Sequence, residues 1–312
     1  MSVLVFTARH IEQAVSPDRA VDAVRDAFVA HARGEWTMPP KTYVTNYPAG
    51  DFRAMPALGG GHALLKWINS FPGNPLQGLP TVSGVVLVSE AETGQLRAVL
   101  DAGSVTALRT GAAAVLAAET LARADAASAT VIGAGVNGRA AARTFVERGH
   151  DVLLWDVDEA RARAAAEKLG AAVAPSREAA LDADVVVTVT PGYEVLFPAG
   201  SLREGQHVSL MGADGPGKAE IAVDELARGH VFCDDWEQAS HNGELAHAVE
   251  AGAITQDDVT ELGAVLAGQA MGRRSHDDIT IFDSTGLAIQ DLAVALAAMQ
   301  CAGELDLPTI DL

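Results

Sequence analysis

The amino-acid sequence predicts an α/β protein in which a doubly wound parallel sheet accompanies a second, α+β domain. After about residue 125 the chain alternates short, apolar, β-branched runs with helical segments; the runs include "SATVIG", "DVLLW", "DVVVTVT", "HVSLM" and "HVFCD". Such alternation indicates a parallel sheet that is covered on both faces. The 312 residues, 49% of them hydrophobic, are enough for two folded domains.

The preceding part of the chain mixes helices with antiparallel strands. In "SPDRAVDAVRDAFVAHARGE", Ser16 can cap a helix, Pro17 suits its first turn and Gly34 can end it. Interrupted strands follow, with a hairpin predicted around "EAETGQ". The segment 104–123 is apolar around its circumference, which predicts a buried helix.

The last apolar segment, "GLAIQDLAVALAAMQCAG", is expected to be a helix that returns to the first domain, opened by "DSTG". We therefore assign residues 1–118 plus 288–312 to one domain and residues 119–287 to the parallel-sheet domain.

Composition argues against several classes of protein. The net charge of −19 opposes binding to nucleic acid. The two cysteines, Cys233 and Cys301, form no metal-binding pair, and His241 and His247 are six residues apart, so no metal site is expected. No apolar run is as long as a membrane span, and the N-terminus does not resemble a signal peptide, so we expect a cytoplasmic protein without membrane contact.

The segment "VIGAGVNG" predicts a dinucleotide site, because this G-x-G-x-x-G pattern follows a strand and opens a helix. Gly133 permits the tight turn, Gly135 lets a pyrophosphate approach the backbone, and Gly138 lets helix and strand pack closely. Val136 and Asn137 complete the turn. The domain is thus expected to be of the Rossmann type.

Asp156 ends the second strand of this unit, eighteen residues beyond Gly138. A carboxylate there accepts hydrogen bonds from the ribose hydroxyls and repels a 2′-phosphate, so NAD is predicted over NADP. Asp158 is an alternative in the same turn. Further cofactor contacts are expected at strand ends and at the turn before the last helix: Thr188, Val189, Thr190, Met211, Gly212, Ser284, Thr285 and Gly286. For the residues of "TVTP" and "DSTG", ordinary capping is the alternative explanation.

Four cations of the first domain are candidate anion ligands: Lys41, Arg53, Lys66 and Arg109. Lys66 and Arg109 have apolar neighbours on both sides, and an unpaired buried charge is costly, so each needs a partner or a ligand. Several such cations would bind a carboxylate together. Surface exposure or an internal salt bridge is the alternative for each of them.

The stretch "LMGADGPGKAE" places Asp214 in a glycine-rich turn that follows a predicted strand. Aspartate is a common turn residue, which is one explanation. The other is that the turn presents Asp214 to a reacting molecule at the carboxyl edge of the sheet, where ligands of such sheets bind.

Taken together, these motifs resemble the ornithine cyclodeaminase/μ-crystallin family and, within it, the archaeal alanine dehydrogenase branch. The matching segments run from Met38 to Leu292: "MPPK", "DFRAMPA", "LLKWINSFPGNPLQGLPT", "TGQLRAVLDAGSVTALRTGAAA", "VIGAGVNG", "MGADGPGKAE" and "FDSTGLAIQDL". The resemblance implies a homodimer whose first domain carries the substrate site and the dimer interface. It also implies hydride transfer between NAD and the α-carbon of a small amino acid, whose oxidised form is an oxo acid or cyclic imine.

By the same resemblance, Lys41, Lys66 and Arg109 match carboxylate-binding positions, and Asp214 matches the catalytic carboxylate, which acts beside Lys66. One position departs from the cyclodeaminases, in which a glutamate two residues ahead of Met55 handles the side-chain amine. Arg53 stands there in this chain. At ~4 Å and an effective dielectric constant of about 20, it would repel an ornithine ammonium by roughly 4 kcal/mol.

Three functions follow from the resemblance. The leading one is an amino-acid dehydrogenase or imine reductase, for which Arg53 favours a short, neutral or acidic side chain on the substrate. The second is an ornithine cyclodeaminase that releases ammonia and recycles its NAD. The third is a non-catalytic protein of the μ-crystallin type that binds a small ligand.

Overall fold

A computed structural model describes residues 2–215 and 217–312 of the chain. It contains two compact units: Met1–Arg109 with Leu287–Leu312, and Thr110–Gly286. The first unit is therefore made from two separate stretches of chain, and the second lies between them in sequence.

Helices and strands alternate along most of the chain. The first stretch contains β1 (Ser2–Phe6), α1 (Ala8–Ala14), α2 (Pro17–Ala32), β2 (Thr42–Asn46), β3 (Gly50–Gly59), β4 (His62–Ser70), β5 (Val82–Glu90) and β6 (Leu96–Asp101). Helix α3 (Ala102–Leu121) runs across the boundary between the units. The second unit continues with β7 (Ala129–Ile132), α4 (Val136–Glu147), β8 (Leu153–Trp155), α5 (Glu159–Leu169), β9 (Ala172–Val173), α6 (Arg177–Leu181), β10 (Val185–Thr188), β11 (His207–Leu210), α7 (Val223–Leu226), β12 (His230–Cys233), α8 (Trp236–Asn242), α9 (Glu244–Glu250), β13 (Val259–Glu261), α10 (Leu262–Leu266) and β14 (Thr280–Asp283). Helix α11 (Ala288–Gln300) and β15 (Thr309–Asp311) complete the first unit.

In the first unit, the sheet has the order β15-β1-β6-β5-β4-β3-β2; α11 packs against β3, β4 and β5, α1 packs against β1 and β6, and α2 packs against α11. The pairs formed among β2 to β6 are all antiparallel, as the predicted hairpin requires, whereas β6 pairs parallel with β1. Side chains alternate in burial along β4, so Leu64, Lys66 and Ile68 are buried whereas Leu65 and Trp67 are exposed. Since successive side chains of a strand point to opposite faces, one face of this sheet packs internally and the other is open.

Helix α2 begins as the sequence predicts. The Ser16 hydroxyl accepts a hydrogen bond from the Arg19 backbone N–H, Pro17 is the first helical residue, and Val21, Val24 and Phe28 are buried. The capping hydroxyl satisfies one of the free N–H groups in the first turn. Helix α3 is likewise close to its predicted bounds.

The second unit is an eight-stranded sheet with the order β13-β12-β14-β11-β10-β7-β8-β9, in which each pair of neighbours is parallel. The predicted α/β class and the parallel sheet are confirmed. The central strands β10 and β11 are buried along their whole length, as expected for the interior of a parallel sheet.

One predicted helix begins later in the structure than the sequence indicates. The last helix begins at Ala288, and its N-cap is Leu287, so "DSTG" does not open it directly. Gly286 has a φ of 78°, in the left-handed region, which is incompatible with a helical turn at that residue.

Across residues 2–215 and 217–312, no helix combines the length and the apolar character needed to cross a bilayer.

Candidate functional site

The glycine-rich turn after β7 leaves a stretch of backbone uncovered. Gly133 has a φ of 101°, and a Cβ atom there would lie 2.5 Å from the Val189 carbonyl oxygen. A Cβ atom on Gly138 would lie 1.7 Å from the Gly133 carbonyl oxygen, so only glycine fits. Gly135, by contrast, has nothing within 4 Å of its Cβ position, and it is the N-cap of α4 without a side-chain cap. The open helix terminus can therefore receive an anionic group.

Asp156 follows β8 and is 8% exposed. Its carboxylate accepts hydrogen bonds from the backbone N–H groups of Ala134 at 2.7 Å and Asp158 at 2.9 Å, and Arg161 Nη1 lies 3.4 Å away. Asp156 thus ties the glycine-rich turn to the end of β8. Asp158, the alternative, caps α5 through a hydrogen bond from the Arg161 backbone N–H.

The predicted cofactor residues of the second unit lie at the carboxyl ends of five neighbouring strands, β14, β11, β10, β7 and β8. Because these strands are parallel, their carboxyl ends share one edge of the sheet. The residues at this edge are Gly133 and Gly135 after β7, Val136, Asn137 and Gly138 in the first turn of α4, Asp156 after β8, Thr188, Val189 and Thr190 at the end of β10, Met211 and Gly212 after β11, and Ser284, Thr285 and Gly286 after β14.

Several of these side chains form hydrogen bonds with buried carboxylates of the protein itself. Thr188 is 0% exposed, and its hydroxyl donates to Glu220 at 2.6 Å. The Thr190 hydroxyl donates to the same carboxylate at 2.5 Å. The hydroxyls of Ser284 and Thr285 donate to Asp234, at 3.3 and 3.1 Å.

Asp234 holds the turn after β14 in place. Besides the two hydroxyls, it accepts a hydrogen bond from the Gly286 backbone N–H at 2.7 Å, and it is 2% exposed. It follows β12, the neighbour of β14 in the sheet, which explains why it can reach this turn. The sequence did not point to Asp234.

Asp214 lies in the turn after β11 and is partly exposed. Its carboxylate forms an ion pair with Lys218 Nζ at 2.6 Å, and Lys218 also lies 5.7 Å from the centre of the Tyr193 ring. The pair lies beside an accessible surface, since both side chains are partly exposed. An ionised carboxylate can accept a hydrogen bond or a proton from an ammonium group.

In the first unit, Lys66 is 1% exposed and lies 2.6 Å from the Asp291 carboxylate of α11, with the Thr106 hydroxyl at 3.4 Å. Burial lowers the pKa of Lys66 to about 8 because it removes water from the ammonium group; Asp291 opposes this shift, and the cations Arg109 and Arg53 add to it. Lys66 can therefore exchange its proton near neutral pH.

Arg109 and Arg53 lie near Lys66. Arg109 Nε is 3.6 Å from the Asp291 carboxylate, and Arg53 Nε is 2.7 Å from the Asp51 carboxylate. We call Arg53, Lys66, Arg109, Asp51 and Asp291 the cation cluster; its three cations and two carboxylates give a formal charge of +1 (3 − 2).

Lys41 is partly buried and immediately precedes β2. The guanidinium of Arg53, in the neighbouring strand β3, lies 5.3 Å from the Tyr43 ring centre. Because Asp51 partly neutralises Arg53, repulsion of a substrate ammonium is weaker than that of an isolated arginine.

In the described residues, no group of three or more His, Cys, Asp or Glu side chains is arranged to hold a metal ion. The cysteines Cys233 and Cys301 are both free.

Known proteins resemble this chain over nearly all its length. The sequence pattern of the ornithine cyclodeaminase/mu-crystallin family matches residues 1–301. An alanine dehydrogenase of Archaeoglobus fulgidus is 44% identical over 304 residues, covering 95% of this chain and 94% of that protein.

Two solved structures show the same fold. An archaeal alanine dehydrogenase dimer with bound NAD has a TM-score of 0.92 and 41% sequence identity, covering 100% of this chain and 99% of its own. A Δ1-pyrroline-2-carboxylate reductase of Thermococcus litoralis, in complex with NADH and L-proline, also has a TM-score of 0.92, with 27% identity and coverage of 99% and 100%. The fold, the family pattern and the sequence identity agree, and this chain belongs to the ornithine cyclodeaminase/mu-crystallin family.

Proposed function

We propose that this protein is an NAD-dependent oxidoreductase that transfers hydride between the nicotinamide and the α-carbon of a small amino acid or its imine. The cation cluster is the observation that carries the proposal. Three cations, each at most about one-eighth exposed, surround two carboxylates and retain a formal charge of +1. One substrate carboxylate would balance that charge, and the bidentate geometry of Arg109 suits it.

The sheet edge of the second unit fits a dinucleotide. The open N-terminus of α4 and the bare backbone at Gly135 would hold the pyrophosphate, and Asp156 would accept hydrogen bonds from the ribose. A 2′-phosphate would meet the Asp156 carboxylate, which favours NAD over NADP. When bound, the reduced cofactor supplies the hydride.

The residues of the chain would bind the substrate and manage its protons. Lys66 and Arg109, with Lys41 and Arg53, would hold the carboxylate and keep the α-carbon in a fixed position. Asp214 would accept a proton from the substrate ammonium, or from the water that attacks the imine. A base in hydrogen-bond reach of that proton contributes about 10²–10⁴-fold in rate.

The substrate class follows from the charges. With Arg53 at the position of the cyclodeaminase glutamate, a second ammonium on the substrate is disfavoured even after pairing with Asp51. A 2-oxo acid with a short side chain, together with ammonia, or a cyclic imine carboxylate fits best. The archaeal alanine dehydrogenase and the pyrroline-carboxylate reductase described above support these two chemistries.

The test measures the loss of NADH absorbance with a panel of 2-oxo acids and cyclic imines, with and without ammonia. We expect turnover of at least one small monocarboxylate, and Asp214→Asn should lower kcat by about 10²-fold or more while substrate binding persists. Ammonia release from ornithine without net change in NADH would instead identify a cyclodeaminase. Substrate binding without turnover anywhere on the panel would identify a binding protein.

A separate measurement tests the cofactor. Asp156→Ser should weaken NADH binding in a fluorescence titration and reduce the preference over NADPH, because it removes both the ribose acceptor and the repelling charge. Unchanged affinity for both cofactors would remove Asp156 from the ribose site.

We further propose a homodimer formed through the open face of the first unit's sheet. Leu65 and Trp67 on β4 are each 39% exposed, and Val85, which pairs with Trp67 from β5, is 41% exposed. Phe52 stacks on Trp67, with ring centres 5.7 Å apart. Exposed apolar side chains grouped on one face of a sheet are typical of a protein–protein interface.

A further inference from the structure

The motif "LMGADGPGKAE" ends in a glutamate to which the proposed chemistry assigns no role. Glu220 is 0% exposed. Its carboxylate accepts hydrogen bonds from the hydroxyls of Thr188 at 2.6 Å and Thr190 at 2.5 Å, and from the Gly212 backbone N–H at 2.9 Å. One buried side chain thus joins the chain segment that follows β10 to the segment that follows β11.

The backbone of Glu220 is fixed as well. Its carbonyl oxygen accepts from the N–H groups of Leu196 and Phe197, and its own N–H donates to the Glu244 carboxylate at 2.7 Å. A Cβ atom on Gly212 would lie 2.6 Å from the Glu220 carboxylate, so the approach of the two segments requires glycine there. Glu220 is therefore held on both sides while it determines how close Gly212 comes to the end of β10.

The space that the Glu220 side chain occupies could be filled without a carboxylate. A buried ionisable group loses its hydration, and burial raises the pKa of Glu220 while the three hydrogen bonds oppose that shift. An apolar residue of similar volume is often neutral or stabilising at such a site. Only a carboxylate, however, supplies acceptors for two hydroxyl groups and one N–H group at the same time.

We propose that Glu220 is a positioning residue for Asp214, which lies two residues beyond Gly212. By holding Gly212 to Thr188 and Thr190, Glu220 sets the direction in which the turn leaves β11 and so the place of the Asp214 carboxylate. This inference rests on the proposed role of Asp214 as the proton acceptor.

The test is a double-mutant cycle on the full-length protein, made from Glu220→Gln and Thr188→Val. Both substitutions keep the side-chain volume and disturb only the hydrogen bonds. We expect each to lower kcat by about 10–100-fold with little change in KM, because displacement of a catalytic group by about 1 Å has effects of that size. The double variant should be no slower than the slower single variant, since both break the same link.

Matched controls come from the same unit. Glu225 is a buried glutamate that accepts from the N–H groups of Gly200 and Leu202, and Thr144 is a buried threonine bonded to the Ala140 carbonyl. Glu225→Gln and Thr144→Val should leave kcat within about twofold of the wild type, even where urea unfolding shows a loss of stability.

The outcomes separate the two proposals. If Asp214→Asn keeps full kcat, the proposed function itself fails. The positioning role is wrong if Asp214→Asn is inactive while Glu220→Gln and Thr188→Val fold and have normal kcat. It is also wrong if the effects of Glu220→Gln and Thr188→Val on kcat multiply in the double variant. If Glu220→Gln does not fold, the comparison of kcat between Thr188→Val and Thr144→Val tests the inference instead. Equal kcat values in these two variants would overturn it.

Discussion

At the scale of single residues, Lys66 is the group whose charge is most sensitive to its surroundings. Burial lowers its pKa from 10.5 to about 8, and Asp291 limits that decrease. The ammonium is present below pH 8 and is lost as the pH rises through that value. A carboxylate bound by Lys66 is therefore expected to lose affinity on the alkaline side.

We predict that the KM for the oxo acid rises by about tenfold per pH unit above the pKa of Lys66. Asp291→Asn removes the carboxylate that raises this pKa, so the alkaline limb should move to lower pH, by about one to three units. Initial rates of NADH oxidation across the pH range measure both. If KM begins to rise at the same pH in the wild type and in Asp291→Asn, then Lys66 does not control binding.

The sequence indicated the cations and Asp214 but few of their partners. Lys66 and Arg109 stand out because they interrupt apolar runs. Their shared partner Asp291 lies 225 residues beyond Lys66 (291 − 66), and no local pattern connects the two. Asp51 could have been predicted as the partner of Arg53, since side chains two residues apart on a strand point to the same face. The contacts of Glu220 and Asp234 could not be predicted, because they depend on how the loops fold and no local sequence pattern indicates them.

At the scale of elements, acidic side chains gather where β12, β14 and α9 meet. Asp283 ends β14, Glu244 begins α9, and both are almost fully buried. Burial raises the pKa of Glu244 to about 9, with the charges of Asp283 and Glu220 as further causes, and burial raises that of Asp283 to about 8. Both groups thus favour the protonated form in the folded protein.

A raised folded-state pKa stabilises the protein at low pH, and this contribution disappears as the pH rises through that pKa. Glu244→Gln should therefore match the wild type in urea unfolding only below the ordinary pKa of glutamate, 4.5. Between that pH and about 9, the wild type should lose about 1.4 kcal/mol of stability relative to the variant for each pH unit, because folding holds a proton that the unfolded chain has released. The difference between the two proteins isolates Glu244, because Lys66 titrates in both. A constant difference from neutral to alkaline pH would contradict the assignment.

The strands of the second unit were predictable because apolar, β-branched runs are buried on both faces. The short helices α8 and α9 were not. They are separated at Gly243, where a Cβ atom would lie 2.4 Å from the Asp283 carboxylate, a contact made over 40 residues of chain (283 − 243). Strands β1 and β15 also escaped prediction, because each is short and pairs with a distant segment.

At the scale of the whole molecule, the open sheet face predicts the state of assembly. A charge placed there would have to be buried without a partner in the dimer, which costs several kcal/mol. Leu65→Glu should therefore convert the proposed dimer to a monomer in sedimentation equilibrium. Met271→Glu, at a site 67% exposed in the second unit, is the matched control and should not change the mass. If the Leu65 variant remains a dimer, the interface lies elsewhere.

The position of Asp291 on α11 has a consequence for how the protein is made. The first unit's strands and Lys66 leave the ribosome early, whereas their partner carboxylate emerges only after the whole inserted sheet has been translated. Until then an unpaired ammonium destabilises the burial of β4. Co-translational folding of the first unit is therefore expected to wait for its last helix, whereas the parallel-sheet unit can fold before the first unit is complete.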